Sequence, residues 1–152
     1  MKLLEKIAVI IHKVTRPWIF ALFCIAILSL FIYLDLISEA KLFILSGLAT
    51  LLIVLFLKKV TQTPRPSNAK VQAIGTGFPS AHAASALFIA TIFYYFLHQW
   101  EIRNADIYSD LLFVLAFLVG ISRLIIRVHT FSQVLTGFVI GIVIPIFLTL
   151  FF

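Results

Sequence analysis

Lys58, Arg65, His82, Arg123 and His129 are the side chains in this sequence whose types and spacing could do chemistry together. They fall in three segments. Lys58 is followed after six residues by Arg65-Pro66; then comes Pro79-Ser80-Ala81-His82; then Ser122-Arg123, followed after five residues by His129. The chemistry they suit is that of phosphate. A terminal phosphate carries about two negative charges. Three converging cations can neutralise that charge and stabilise a phosphoryl group in transfer. Arginine makes planar, two-pronged contact with phosphate oxygens, and lysine adds a point charge. Ser80, following Pro79, suits the N-cap of a helix whose first N–H groups would face the anion. Taken singly, each residue has a plainer reading. Flanking lysines such as Lys58 and Lys59 snorkel, Arg65 suits a solvated loop, and Arg127 suits a lipid head group.

The elements that position these residues are read from composition. Of 152 residues, 62% are hydrophobic, 12% are charged and sixteen are Phe. A soluble domain of this length could not bury that much apolar surface. The chain reads as all-α: a polytopic transmembrane helix bundle, with residues 1–152 forming a single membrane-embedded domain. Five spans are expected, at about 18–36, 42–57, 80–97, 111–128 and 130–152. Each is long enough for a bilayer core of about 30 Å with some tilt or thinning. Pro145 is expected to kink the last span. Residues 2–14 carry an apolar stripe (Leu3, Leu4, Ile7, Ile10, Ile11, Val14) with Lys6 and Lys13 between, which suggests an interfacial helix; a sixth crossing is the alternative. No cleavable signal pattern is read in the first sixteen residues. The single cysteine, Cys24, excludes an intrachain disulfide and reads as a packing or lipid-facing residue.

Alternating direction through the spans places the ends near Lys58, Ser80, Arg127 and Thr130 on one side of the membrane. The polar loop 58–79, whose prolines and glycines exclude a regular helix throughout, then faces the Arg123–His129 segment. The opposite side holds a mixed set of acids and bases. His12 and His98 read as interfacial rather than catalytic. No carboxylate–histidine cluster falls on the motif side, so no metal site is expected.

All three segments, in this order and on one membrane side, resemble the signature of the type 2 phosphatidic acid phosphatase superfamily, which includes vanadium haloperoxidases. The resemblance covers residues 58–133. It implies a metal-independent phosphatase, without cofactor, that works through a phosphohistidine. His129 would be the nucleophile and His82 the general acid. Lys58, Arg65, Arg123, Ser80 and the backbone at Ala81 would hold the phosphoryl oxygens. A helix N-terminus disfavours imidazolium, which fits a neutral, nucleophilic His129.

Two positions depart from the family pattern. Ala81 stands where glycine is common, which a helix tolerates. Gln133 stands four residues after His129, where much of the family has an aspartate. Its carbonyl can accept a ring N–H and fix the tautomer, without supplying a negative charge. "HTFSQ", residues 129–133, is similar to the pattern of the dolichyl diphosphatase branch. That likeness implies a polyprenyl diphosphate or related lipid phosphate as substrate.

The expected function is therefore hydrolysis of the terminal phosphate of such a lipid, with the bilayer as the protein's setting and no nucleic-acid partner. A lipid phosphotransferase and a non-catalytic binder of anionic lipid are the alternatives, the latter favoured by Gln133. Ten of the twelve Lys and Arg residues fall on the motif side against Lys41 and Arg103, which reads as cytoplasmic. The family resemblance implies the extracytoplasmic or lumenal face instead.

Overall fold

The computed structural model describes residues 2–73 and 75–152. Six helices follow one another: α1 (Leu3–Val14), α2 (Pro17–Tyr33), α3 (Ile37–Thr61), α4 (Ala81–Gln99), α5 (Ala105–Ile125) and α6 (Phe131–Thr149). No strand occurs among the described residues. Helices α3 to α6 are each long and apolar enough to cross a membrane. Helices α1 and α2 pass the same test only as a pair, bent by 55° at the break between them. Pro17 opens α2 at a position where its missing N–H is no loss.

Helix boundaries differ from hydropathy where polar residues are helical. α3 begins at Ile37 and runs to Thr61, so Ser38, Glu39, Lys41 and Lys58 all lie on it. Its start is secured at the far end of the bundle, where Trp100 Nε1 donates to Glu39 Oε1 (3.1 Å). α5 stops at Ile125 because Arg127 adopts a left-handed conformation (φ 56°). Its amide and that of Val128 bond back to Leu124 O and Arg123 O at 3.0 and 3.1 Å, satisfying the last carbonyls of α5. That reversal lets α6 start at Phe131. α6 continues past the buried Pro145 to Thr149.

α4 is the centre of the bundle, packed against α3, α5 and α6. The α4–α6 contact is close because Gly137 and Gly141 lie one turn apart on α6. A Cβ on either would come within 2.5 Å of Ser80 O or 2.4 Å of Ala84 O. Small residues at such spacing let membrane helices approach backbone to backbone. The start of α4 is therefore held directly against the start of α6. At the opposite end, Phe31, Phe96 and Trp100 form an aromatic core. Phe31 meets Phe96 edge-on at 5.5 Å, and Phe96 stacks on Trp100 at 5.4 Å.

α1 is turned the other way from a soluble amphipathic helix. Leu3, Leu4, Ile7, Ile10 and Val14 are exposed, whereas Ala8 is buried and Glu5, His12 and Thr15 face the protein. Ala8 packs with Ile126 and Val128, while Glu5 pairs with Lys70 of the polar loop. The apolar stripe read from the sequence thus faces outward, where lipid would cover it. The polar stripe faces inward, as polar residues in membrane helices do.

Candidate active site

The site lies where α3 ends and α4 and α6 begin. Thr130 caps α6: its hydroxyl accepts from Gln133 N (3.4 Å), and Gln133 Oε1 accepts from Thr130 N (3.1 Å), a reciprocal capping box. The same Oε1 lies 3.0 Å from His129 Nδ1. Gln133 Nε2 donates to Pro64 O (3.4 Å), which fixes which end of the amide faces the imidazole. His129 Nδ1 therefore carries the proton, and the lone pair resides on Nε2. Gly77 makes room for this arrangement. A Cβ there would stand 2.7 Å from the Gln133 amide.

Arg65 lies across Nε2. Its Nη1 is 3.1 Å from that nitrogen and donates to Val128 O (3.2 Å), while its Nε donates to Gly75 O (3.0 Å). Lys58, on the last turns of α3, donates to Thr76 O (2.8 Å). The loop between α3 and α4 thus serves as a backbone frame for two of the expected phosphate ligands. Gly77 N closes it onto Thr63 O at 2.7 Å. Burial, together with the nearby Arg65 and Lys58 charges, pushes His129 down to about 4, against a smaller opposing effect of Gln133. The imidazole is accordingly neutral at ordinary pH, the state that the nucleophilic role expected of it would need.

Ser80 caps α4, its hydroxyl accepting from Ala83 N (3.4 Å), while its own amide donates to Gln133 O (2.9 Å). Ser80 therefore ties the second motif to the third. Ala81 and His82 occupy the first turn of α4 and line an apolar cavity of about 650 Å³. The cavity runs between α2, α3, α4 and α5, past Phe20, Cys24, Gly47 and Leu112. His82 lies within electrostatic reach of Arg123, His12, His129 and Arg65.

Arg123 takes a place of its own. It is fully buried near the end of α5, and its guanidinium bonds go to α1 and its C-cap rather than to His129 or Gln133. Its Nη1 meets His12 Nδ1, and its Nη2 donates to Thr15 Oγ1 (2.5 Å). His12, expected at the interface, instead lies beside the motif residues, its ring centroid 6.1 Å from that of His82. The signal that could have found it is the stripe Glu5, Ala8, His12, Thr15, opposite the apolar one. His98 stays at the far end, 3.0 Å from Asp106. No group of three metal-ligating side chains occurs among the described residues.

Comparison with known proteins bears on the family. Human dolichyldiphosphatase 1 is 36% identical to this chain over 98 residues, a match covering 56% of this chain and 41% of that protein. The mouse protein matches to the same extent. The chain thus matches less than half the length of these curated relatives. The crystal structure of a transmembrane PAP2 type phosphatidylglycerolphosphate phosphatase from Bacillus subtilis superposes with a TM-score of 0.87 at 22% identity, covering 99% of this chain and 77% of that one. Aquifex aeolicus LpxE gives 0.77 at 24% identity, covering 98% and 87%. Identities this low speak to the fold alone, and the fold is shared. The PAP2 superfamily profile matches residues 39–152, well over half of the sequence, and the chain belongs to that superfamily.

Proposed function

We propose that this protein is a membrane lipid phosphatase that removes the terminal phosphate of a polyprenyl diphosphate through a phosphohistidine on His129. The observation that carries the reading is the Gln133–His129–Arg65 chain. Nδ1 is held by Gln133 Oε1, and Nε2 presents its lone pair to the guanidinium that would bind the phosphoryl group. On substrate binding, Arg65 Nη1 exchanges Nε2 for a phosphoryl oxygen, and Nε2 attacks phosphorus. The Nε2–P bond forms as the bond from phosphorus to the leaving oxygen breaks. His82, arriving protonated, gives that oxygen its proton. Water then attacks the phosphohistidine, His82 takes the proton of the water, and inorganic phosphate departs with Nε2 restored. Lys58, Arg65 and Arg123, with the first N–H groups of α4, would balance the charge that builds on the equatorial oxygens.

The choice of a polyprenyl substrate is supported by two things. The curated relatives are dolichyldiphosphatases, and the cavity at His82 is apolar, about 650 Å³, and lined along α3 from Phe43 to Val54, as a hydrocarbon tail would need. Gln133 weighs less toward a non-catalytic role once it is seen to fix the imidazole as a carboxylate would, short of the charge. The test is phosphate release from a polyprenyl diphosphate in detergent, with chelator present. Wild type should turn over and be inhibited by vanadate, and His129→Ala should fall by more than about 10³-fold. Equal release by the two would overturn the reading. Product analysis with an acceptor lipid separates hydrolysis from phosphotransfer. We place the site on the extracytoplasmic side, following the family resemblance against the charge count. Labelling a cysteine at Ser67 from each side, with Cys24 replaced, tests this.

A further inference from the structure

We propose that His12 of the N-terminal segment, with Arg123 shared between the two phosphates and held in place by Thr15, forms a second phosphate subsite for the leaving phosphate of a diphosphate substrate. The proposal rests on the diphosphate reading above. It makes α1 a determinant of the choice between diphosphates and phosphate monoesters.

The hydrogen-bond roles support it. A guanidinium only donates, so His12 Nδ1 accepts from Arg123 and the His12 proton resides on Nε2, a donor left for another group. Thr15 accepts from Arg123 Nη2 while donating its one proton to Ile11 O at 2.8 Å, so it fixes the guanidinium and leaves the donating to His12 Nε2 and Arg123. Arg123 Nε is buried with no hydrogen-bond partner among the described residues. The ion pairs among those residues are Lys70 with Glu5 and His98 with Asp106; neither involves Arg123. A fully buried guanidinium held only by neutral groups is costly without an anion. The His12–Thr15–Arg123 group therefore suits a phosphate.

Its position suits the leaving phosphate in particular. In-line transfer puts the attacking and leaving atoms on opposite sides of phosphorus. His129 attacks from the Gln133 side, so the leaving oxygen points toward His82. The His12 ring lies 6.1 Å from that of His82, and Thr15 and His82 both line the apolar cavity, whereas Lys58, Arg65 and His129 do not. The group between the reacting phosphorus and the start of the tail must cross the His12–Thr15 side. In a diphosphate that group is itself a phosphate, which leaves with its charge; in a monoester it is an uncharged alkoxy oxygen. Donors and a cation at this point reward the diphosphate alone.

The experiment compares farnesyl diphosphate with farnesyl monophosphate, which share one tail, for wild type, His12→Ala and Thr15→Val. Both variants should lose at least tenfold more kcat/KM on the diphosphate than on the monophosphate. Equal losses on both would mean that the pair serves only the reacting phosphoryl group, through Arg123, and would overturn the proposal, as would no loss on either. A second arm measures binding of the non-hydrolysable methylene-bisphosphonate and monophosphonate analogues by calorimetry. The bisphosphonate should bind more tightly to wild type, and that margin should shrink at least tenfold in the variants. If wild type hydrolyses neither substrate while this margin and its loss are observed, the phosphatase reading fails and the subsite stands. If the analogues bind alike to wild type, the subsite is wrong whatever the turnover.

Discussion

The two ends of α4 are built on opposite terms. The last turns bury Phe96 among Phe31, Phe93 and Trp100, contacts without direction beyond ring geometry. The first turn carries Ser80 and His82 and meets a chain of directed contacts: Ser80 N on Gln133 O, Gln133 on His129, His129 on Arg65. The aromatic end has many interchangeable solutions, because dispersion and area burial tolerate rearrangement. The polar end has few, because an unpartnered buried polar group is expensive. Stability should therefore be concentrated at one end and chemistry at the other.

Substitutions can sharpen or break that division. The largest effects should come from a reciprocal pair. Phe96→Ala removes a fully buried ring and should cost about 3 kcal/mol or more, read as a lowered Tm in detergent. Turnover per folded molecule should stay within about twofold, because the ring lies at the far end of the helix from His129. His129→Ala should do the reverse, abolishing turnover with little change in Tm. If Phe96→Ala lowered kcat as steeply as it lowered Tm, the two ends would not be separable.

Next come the glycines that join α4 to α6. Gly137→Val and Gly141→Val place carbon against Ser80 O and Ala84 O. Each should cost about 1–3 kcal/mol and, by pushing Ser80 from Gln133, reduce kcat as well. A variant that lost stability alone would show that the Ser80–Gln133 bond does not position the site.

A smaller effect is expected in pH dependence. An unperturbed histidine titrates at about 6.5. Burial, with the Arg65 charge beside it, holds His129 down at about 4. Between those values the unfolded chain binds the extra proton, so this residue's contribution makes stability rise with pH across that window and fall on acidification. The acid limb of kcat/KM due to His129 should lie near pH 4. Gln133→Glu puts a carboxylate beside Nδ1 and should raise that limb by about 1–3 units. It also loses the Pro64 bond, so Tm should drop slightly. An unmoved limb would contradict the Gln133–His129 contact.

The smallest effect concerns Arg127, exposed and left-handed at the end of α5. Arg127→Gly removes the steric cost of that conformation and should stabilise by up to about 1 kcal/mol, with turnover unchanged. A marked loss of turnover would place Arg127 in the site after all.

Much of the polar end was legible in sequence because the phosphate chemistry proposed for it would require particular residue types. Lys58, Arg65, Ser80, His82, Arg123, His129 and Gln133 could all be named, and the alternation of spans put them on one side. The contact of Gln133 with His129 followed from their spacing of four. What escaped was the partner of Arg123. Periodicity in residues 2–14 revealed an apolar stripe, and a stripe does not say which face of a helix meets protein. In lipid the apolar face can be the outer one, which turns His12 and Thr15 inward. The close α4–α6 approach was not read either, because glycines inside an apolar run signal nothing until a neighbouring backbone is known to lie against them.

The central claim is that His129 Nε2 becomes phosphorylated. Quenching turnover of a polyprenyl diphosphate labelled in its terminal phosphate, then mapping the label by mass spectrometry, tests it directly. An acid-labile, alkali-stable phosphoryl group on His129 that disappears on chasing with unlabelled substrate is the result expected. Phosphate release with the label on another residue, or passing straight to water in a His129→Ala chain, would contradict it.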